Sequence, residues 1–201
     1  MMTPEPVAPD LTAYLAADDV IDHEHPQIRE LAARLRGESR EATAEAAFEY
    51  VRDQVHHSAD VQRWSAAYRA SDVLAQGDAV CHGKAHLLAA LLRAEGIPAG
   101  LCYQRLEVLH AMVAVHWQGP GPTGGSWVRL DARGNRPADD GRTAVDARFA
   151  LVPGEERLAF PGDCYPEVYA AVPAQVKAGL AKKVAGEAGY GHLPTELSAA
   201  F

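Results

Sequence analysis

The chain has 201 residues, of which 48% are hydrophobic and 23% are charged, a composition typical of one soluble globular domain. A formal net charge of -8 repels phosphate backbones, so we expect no nucleic-acid partner. No apolar run approaches the roughly 20 residues of a membrane-spanning helix, so we expect no membrane partner either.

The first ten residues are rich in proline and predict a loose terminus. They lack the basic and apolar parts of a signal peptide, so we expect a cytoplasmic protein. The cysteines Cys81, Cys102 and Cys164 are few and far apart, which argues against a disulfide scaffold. Cys102 is interpreted as a core residue of a strand, and Cys164 lies in a loop and is given no role.

Helices are predicted in the first half of the chain, at residues 26–36, 38–55 and 80–95, with a short turn at 71–74. Pro26 is expected to open the first helix and Gly37 to end it. The third helix has the strongest signal, because its leucines recur at helical spacing and Gly96 and Pro98 terminate it. Residues 56–70 give no clear signal.

Strands are predicted after the third helix, at residues 99–108, 111–117 and 127–131, with a weaker strand at 147–152. A turn rich in Gly and Pro at 119–125 is expected to join two of them into an antiparallel pair. We expect Pro166 to open a C-terminal helix that is interrupted at Pro173 and resumes to about residue 184. From about residue 186 we expect a loose tail. Helices followed by strands predict a single α+β domain spanning residues 1–201.

Cys81 stands at the start of the strongest predicted helix. Free N–H groups and a partial positive charge at a helix N-terminus favour the thiolate and lower the pKa of a cysteine. The same N–H groups can hold the oxyanion that forms when sulfur attacks a carbonyl. This position therefore makes Cys81 a candidate nucleophile, although a buried structural cysteine can also begin a helix.

His110 and Asp131 supply the other two groups that a cysteine nucleophile needs. His110 lies at the junction of two predicted strands, and Asp131 ends the next strand. A nucleophilic cysteine requires a base within hydrogen-bond reach, and that base requires a partner that fixes its tautomer. A helix N-terminus packed against adjacent antiparallel strands can bring the three side chains together.

Three motifs resemble those of the transglutaminase-like superfamily, in the same order. Residues 79–99, AVCHGKAHLLAALLRAEGIPA, resemble its nucleophile helix, residues 110–113, HAMV, its histidine motif, and residues 127–132, WVRLDA, its aspartate motif. Residues 102–106, CYQRL, and 131–135, DARGN, further resemble an uncharacterised bacterial subgroup. The resemblance covers about residues 70–138.

The resemblance implies a papain-like fold with N-terminal helices packed on an antiparallel sheet. It implies that Cys81 is the nucleophile, His110 the base and Asp131 the residue that orients His110. The substrate is expected to be a peptide or an amide-containing small molecule, and neither a metal nor an organic cofactor is required. Hydrolysis, transfer to an amine and the oligomeric state stay open, and a catalytically inactive binding module is the alternative function.

The second oxyanion donor is left open between Gln76 and Trp64, because papain-like enzymes use a Gln and protein transglutaminases a Trp. A turn residue and a core aromatic are the simpler interpretations of these two. His82 follows the nucleophile at a position where the family commonly has a different residue, and we expect it to line the cleft. Met112 and Ala114 also depart from the family pattern, which affects the expected substrate preference more than the chemistry.

Two other histidine patterns compete with this interpretation. His82 and His86 lie four residues apart on one helix face, but Gly83 stands where a zinc-binding helix of this kind has Glu, so we expect no metal site. His116 has the same strand parity as His110 and is a weaker candidate for the base. The remaining histidines of the first half are interpreted as surface or helix-end residues: His23, His25, His56 and His57.

Overall fold

A computed structural model describes residues 2–118, 125–136 and 145–197 and shows helices combined with a three-stranded antiparallel sheet. The α-helices are α1 (Pro26–Leu35), α2 (Arg40–Gln54), α3 (Ser58–Val61), α4 (Ala70–Gln76), α5 (Cys81–Ala94) and α6 (Ala174–Leu180), preceded by a 3₁₀ helix at Leu11–Leu15. The strands are β1 (Glu5–Pro6), β2 (His56–His57), β3 (Asp78–Ala79), β4 (Ala99–Arg105), β5 (Leu109–Trp117), β6 (Ser126–Leu130) and β7 (Glu167–Val168). The predicted α+β fold class is confirmed.

The helices of the first half follow the end signals in the sequence. Ser39 caps α2 by accepting a hydrogen bond from the backbone N–H of Ala42 at 3.0 Å. The predicted turn at 71–74 is a longer helix, α4, which Gly77 ends with a left-handed backbone, φ +71°. None of the described helices is both long and apolar enough to cross a membrane.

The second half differs from the sequence-based expectation in two places. The prediction that Pro166 opens a helix is wrong: β7 lies there and pairs in parallel with β1, and α6 begins only after Pro173. The weaker strand at 147–152 is reduced to a single bridge between Arg148 and Arg157. The turn predicted at 119–125 lies outside the described residues except for its last residue.

The sheet has the order β4–β5–β6, with all neighbours antiparallel. Val113 pairs with Leu130, so the chain leaving β6 passes the end of β5. Asp131 is therefore diagonal to His110 across neighbouring strands, within reach of a side-chain contact. This register is what brings the second and third sequence motifs together.

Helix α5 is the centre of the molecule. Every residue from Cys81 to Arg93 is buried, between α1, α2 and α4 on one side and the sheet on the other. Each fully buried leucine of this helix contributes roughly 1.5–3 kcal/mol. Cys81 therefore lies on a helix whose packing on both sides holds it in position.

Two buried cations also fix α5. Lys84 donates to the carbonyl oxygens of Val51, at 2.7 Å, and Val55, and so caps the C-terminus of α2. Burial lowers the pKa of Lys84 to about 7. Arg93 donates to the carbonyl oxygens of Ala99, Ala16 and Ala170, which ties the end of α5 to three other segments.

Gly83 tests how tightly the start of α5 is packed. A Cβ here would lie 2.7 Å from Ala79 Cβ and 3.0 Å from the carbonyl oxygen of Ala67. Alanine ordinarily favours a helix over glycine by about 1 kcal/mol. We nevertheless expect Gly83→Ala to destabilise the domain by about 1–3 kcal/mol, with a Tm lower by roughly 2–4 °C for each kcal/mol.

A thermal melt of Gly83→Ala measures this effect, and Gly191→Ala is the matched control. No atom lies within 4 Å of the Cβ position at Gly191, and its φ is not in the left-handed region, so its Tm should stay close to that of the parent chain. An unchanged or higher Tm for Gly83→Ala would show that the packing around Cys81 is loose.

Candidate active site

Cys81 is the first residue of α5, after a sharp entry through β3. Ser58 donates to the carboxylate of Asp78 at 2.7 Å, and Ser65 donates to the backbone oxygen of Asp78 at 2.7 Å, which anchors the segment before the helix. The backbone N–H groups of the first turn of α5 have no intrahelical partner and surround the thiol with partial positive charge. The sequence prediction that Cys81 begins this helix is confirmed.

Three imidazole rings surround the Cys81 sulfur. His82 Nδ1 lies 3.4 Å from Sγ, and the ring of His82 is fully buried against Tyr103. His110 and His57 line the same cavity as Cys81. The family-like motif accounts for only one of these three rings.

The charge on Cys81 depends on these rings. Burial opposes ionisation of the thiol, but the electrostatic influence of His82 and His110, together with hydrogen bonding from His110 and His57, brings the pKa of Cys81 well below the ordinary thiol value. Burial would also lower the pKa of His110, but the Asp131 carboxylate and the Cys81 thiolate outweigh it and raise that pKa to about 10. Between the two pKa values the pair exists as thiolate and imidazolium.

Asp131 holds His110 in one orientation. His110 Nε2 donates to Asp131 Oδ2 at 2.9 Å, and both side chains are buried. Asp131 also accepts the backbone N–H of Ala159 at 2.9 Å and that of Arg133 at 3.1 Å. Because Nε2 is engaged with the carboxylate, Nδ1 is the imidazole nitrogen left to face the sulfur. The expected contact between His110 and Asp131 is present in the structure.

A cavity of about 170 Å³ opens at the sulfur. Cys81, His57, His110 and Arg133 form its polar part, and only Glu107 among the other lining residues is charged. The rest of the wall is apolar and consists of Leu106, Val108, Leu109, Phe160, Tyr190 and Leu193. The reacting centre therefore faces a small apolar pocket.

A larger depression, of about 520 Å³, lies beside this cavity and shares Phe160 with it. Its lining includes Asp146, Arg148, Glu156 and Arg157, and no cysteine or histidine. Of these two cavities, only the smaller one is lined by Cys81 and His110, the candidate nucleophile and base, so we take it as the candidate site of chemistry.

The C-terminal segment, residues 182–197, covers one side of the cavity. Tyr190 packs edge-on against Trp64, with ring centroids 5.5 Å apart, and near His57 at 6.4 Å. Pro194 accepts the backbone N–H of Leu109 at 2.9 Å, and Trp64 accepts that of Gly186, also at 2.9 Å. The region expected to be a loose tail from about residue 186 thus has defined contacts as far as residue 197.

The structure separates the tentative oxyanion residues from one another. Gln76 is exposed at the end of α4 and lines a different surface depression. The Trp64 indole N–H donates to Gln62 at 3.5 Å, and Trp64 packs against Tyr190 but is not itself among the residues that line the cavity. His82 touches the sulfur but is not among the residues that line the cavity. Both Gln76 and Trp64 are therefore poorly placed to reach a substrate oxygen at Cys81.

His57 is a site residue that the sequence analysis missed. The interpretation of His57 as a surface residue is wrong, because only 6% of it is exposed; it does stand at a helix end, directly before α3, but it also lines the cavity. Arg133 lies in the DARGN motif, residues 131–135, and was assigned no role from the sequence. It also lines the cavity and forms a bidentate ion pair with Asp60. Neither position has a periodic signal, since both depend on contacts between distant segments.

The competing histidines have other partners. His116 packs on Trp127, with ring centroids 5.3 Å apart, at the far end of β5 from His110. His86 Nδ1 bonds to the carbonyl oxygen of Tyr68 at 2.7 Å, and burial lowers the pKa of His86 to about 4. In the part of the chain that the structure describes, no group of three or more His, Cys, Asp or Glu side chains has the arrangement of a metal site.

Comparison with known proteins gives the same picture as the motifs. A model of the transglutaminase-like superfamily matches residues 29–132, just over half of the chain, and this range contains Cys81, His110 and Asp131. The crystal structure of a proposed cysteine protease from Cytophaga hutchinsonii shares the fold, with a TM-score of 0.50 and 21% sequence identity. The match covers 63% of this chain and 43% of that chain, so the present chain spans less than half of that neighbour. No curated protein matches the sequence.

The lowered pKa of Cys81 gives a direct test. A lowered pKa means that the thiolate is already present at neutral pH and is lost only as the pH falls through that value. We expect iodoacetamide to alkylate Cys81 at a rate that has reached its plateau by neutral pH. Peptide mapping by mass spectrometry over a pH series measures this rate.

Cys102 and Cys164 serve as internal controls for the alkylation series. Burial raises the pKa of both thiols, so neither should react in the folded protein. A single rise in Cys81 alkylation near the free-thiol pKa of about 8.5 would contradict the activated thiol.

Proposed function

The chain belongs to the transglutaminase-like superfamily, and we propose that it is a cysteine-dependent acyl-transfer enzyme with Cys81, His110 and Asp131 as its catalytic triad. The observation that carries this proposal is that Cys81 and His110 line the same cavity and that His110 Nε2 bonds to Asp131 at 2.9 Å. A structural cysteine needs no His–Asp pair beside it. Burying charged groups costs several kcal/mol unless their charges are compensated, so such a pair is not expected without a function. The geometry thus favours catalysis over a purely structural role.

The chemistry follows from the charges of the pair. The Cys81 thiolate attacks an acyl carbonyl carbon, a C–S bond forms, and the carbonyl electron pair moves to the oxygen. When the tetrahedral intermediate collapses, the C–N bond breaks and the His110 imidazolium gives its proton to the leaving amine. The product of this half-reaction is a thioester on Cys81 and a neutral His110.

The second half-reaction restores the thiolate. His110, now neutral, accepts a proton from the incoming nucleophile, which attacks the thioester and releases the acyl group. Water as the nucleophile gives hydrolysis, and an amine gives acyl transfer. Asp131 keeps His110 in the orientation and tautomer that both steps require.

The cavity supports a restricted class of acyl group. Its volume of about 170 Å³ and its wall of leucine, valine and aromatic side chains suit a short apolar acyl chain or a single apolar side chain. We therefore propose, as substrate, a peptide or an amide-containing small molecule with an apolar group at the scissile carbonyl. Glu107 lies at the exposed edge of the cavity, where a cationic or amine-bearing portion of the substrate would be accommodated.

The triad is tested with p-nitrophenyl esters of short aliphatic acids, which report acylation without knowledge of the natural substrate. Cys81→Ala should reduce ester turnover to the rate without protein, because no nucleophile remains. Cys164→Ala is the matched control, since Cys164 is also buried but lies outside the cavity, and its turnover should be unchanged. Full activity in Cys81→Ala would exclude the proposed mechanism.

Asp131→Asn should reduce turnover while leaving Cys81 in place. The corresponding change in a serine-protease triad costs about 10⁴-fold, and we expect a smaller loss because the Cys–His pair is already ionised. Loss of the carboxylate also removes the main charge that raises the pKa of His110, so the alkaline limit of the pH–rate profile should move to lower pH. A thermal melt distinguishes this from unfolding, because Asp131 also accepts two backbone N–H groups. A folded Asp131→Asn variant with an unchanged pH–rate profile would show that Asp131 does not act on His110.

A further inference from the structure

His57 is positioned at Cys81 by a pairing between two very short strands. β2 and β3 run in parallel, and His57 is in register with Ala79, two residues before the nucleophile. The backbone N–H of His56 bonds to the carbonyl oxygen of Gly77 at 3.0 Å, which extends the same pairing. The His57 ring is thereby held beside the start of α5 by backbone contacts that do not involve its side chain.

The ring itself faces the reacting centre. His57 lines the cavity together with Cys81 and His110. Its Nδ1 is buried and has no hydrogen-bond partner, which leaves Nε2 as the ring nitrogen available to the cavity. Because a thiolate or an oxyanion can only accept a hydrogen bond, Nε2 must carry the ring proton in order to act there.

His57 and His110 differ in charge. Burial lowers the pKa of His57, and the nearby guanidinium of Arg133 lowers it further despite the hydrogen bond to Cys81. His57 is therefore a neutral donor with its single ring proton on Nε2, whereas His110 is the cationic proton carrier. The protein thus has two imidazoles at one sulfur with different tasks available to them.

We propose that His57 is a catalytic residue that donates its Nε2–H to the oxyanion formed during attack by Cys81. This inference rests on the proposed acyl-transfer function and identifies the side-chain donor that the sequence left open between Gln76 and Trp64. The backbone N–H groups at the start of α5 are the other donors in this arrangement.

No proton is transferred in the proposed role. Before attack, the Nε2–H of His57 bonds to the thiolate. When the C–S bond forms, the negative charge leaves the sulfur and appears on the former carbonyl oxygen, and the same N–H now finds its best acceptor there. When the C–N bond breaks, the electron pair on oxygen re-forms the carbonyl, while the proton for the leaving amine comes from His110.

The experiment compares two reactions of Cys81 that differ in the charge they develop. Alkylation by iodoacetamide requires the thiolate but forms no oxyanion, whereas acylation by a p-nitrophenyl ester requires both. His57→Met removes the donor and keeps the length of the side chain, and His57→Gln keeps an N–H donor of similar reach. His56→Gln is the matched control, because His56 is the exposed neighbour in the same strand.

The expected result is a split between the two reactions. His57→Met should alkylate at a plateau rate close to that of the parent chain but lose about 10²–10³-fold in ester acylation, mostly in kcat rather than KM. His57→Gln should recover most of the acylation rate, and His56→Gln should match the parent chain in both assays. If His57→Met does not fold, His57→Phe replaces it, because it keeps an aromatic ring, has no N–H donor and should show the same loss.

Three outcomes overturn the inference. Acylation at the parental rate in His57→Met or His57→Phe would remove the donor role. If the rates of alkylation and acylation fell by the same factor, the role of His57 would be limited to supporting the thiolate. Failure of His57→Gln to exceed His57→Met would show that the N–H is not what matters. Failure of the proposed function itself is distinct, since the parent chain would then form no acyl-enzyme on Cys81 detectable by mass spectrometry.

Discussion

The structure depends on keeping a thiolate, an imidazolium and a carboxylate together inside the protein. Isolated buried charges cost several kcal/mol each, so such a group persists only where opposite charges and hydrogen bonds compensate it. Asp131 meets this requirement with two backbone N–H groups besides His110, and Cys81 meets it with the start of α5 and its neighbouring imidazoles. Small displacements of any one element would leave a charge uncompensated. The helices and the sheet around the site therefore have to be rigid.

The packing of α5 provides that rigidity. A helix exposed on one side can slide or rotate, but α5 is enclosed by three helices and a sheet along nearly its whole length. Lys84 and Arg93 are buried in this helix, and each is satisfied by carbonyl oxygens of other segments instead of by an acidic partner. Hydrogen bonds of this kind have fixed directions, so they also set the rotation of the helix. Cys81 inherits that rotation, which places it in the wall of the cavity that His110 also lines.

The sequence predicts those parts of the site that local patterns encode. The leucine spacing and the Gly96–Pro98 ending define α5, and the order of the motifs brings Cys81, His110 and Asp131 into one hypothesis. His57 has no such signal, because two-residue strands show no periodicity and their pairing joins segments about twenty residues apart. The error at Pro166 has a related origin: the pairing of β7 with β1 overrides a local helix signal. Tertiary contacts decide these positions. The analogy with known families suggested only Gln76 and Trp64 as the second oxyanion donor and did not identify His57.

His110 and His57, the two imidazoles that line the cavity with Cys81, show how one residue type acquires opposite properties. Burial acts on both in the same direction, since it disfavours the charged ring. Asp131 lies beside His110 and reverses the effect, raising its pKa, whereas Arg133 lies near His57 and reinforces it. Arg133 is itself held in place by its bidentate pair with Asp60. The Asp60 carboxylate acts to raise the pKa of His57, but burial and Arg133 prevail. The pKa of His110 is thus raised and that of His57 lowered, and the difference is made by the neighbours of each ring.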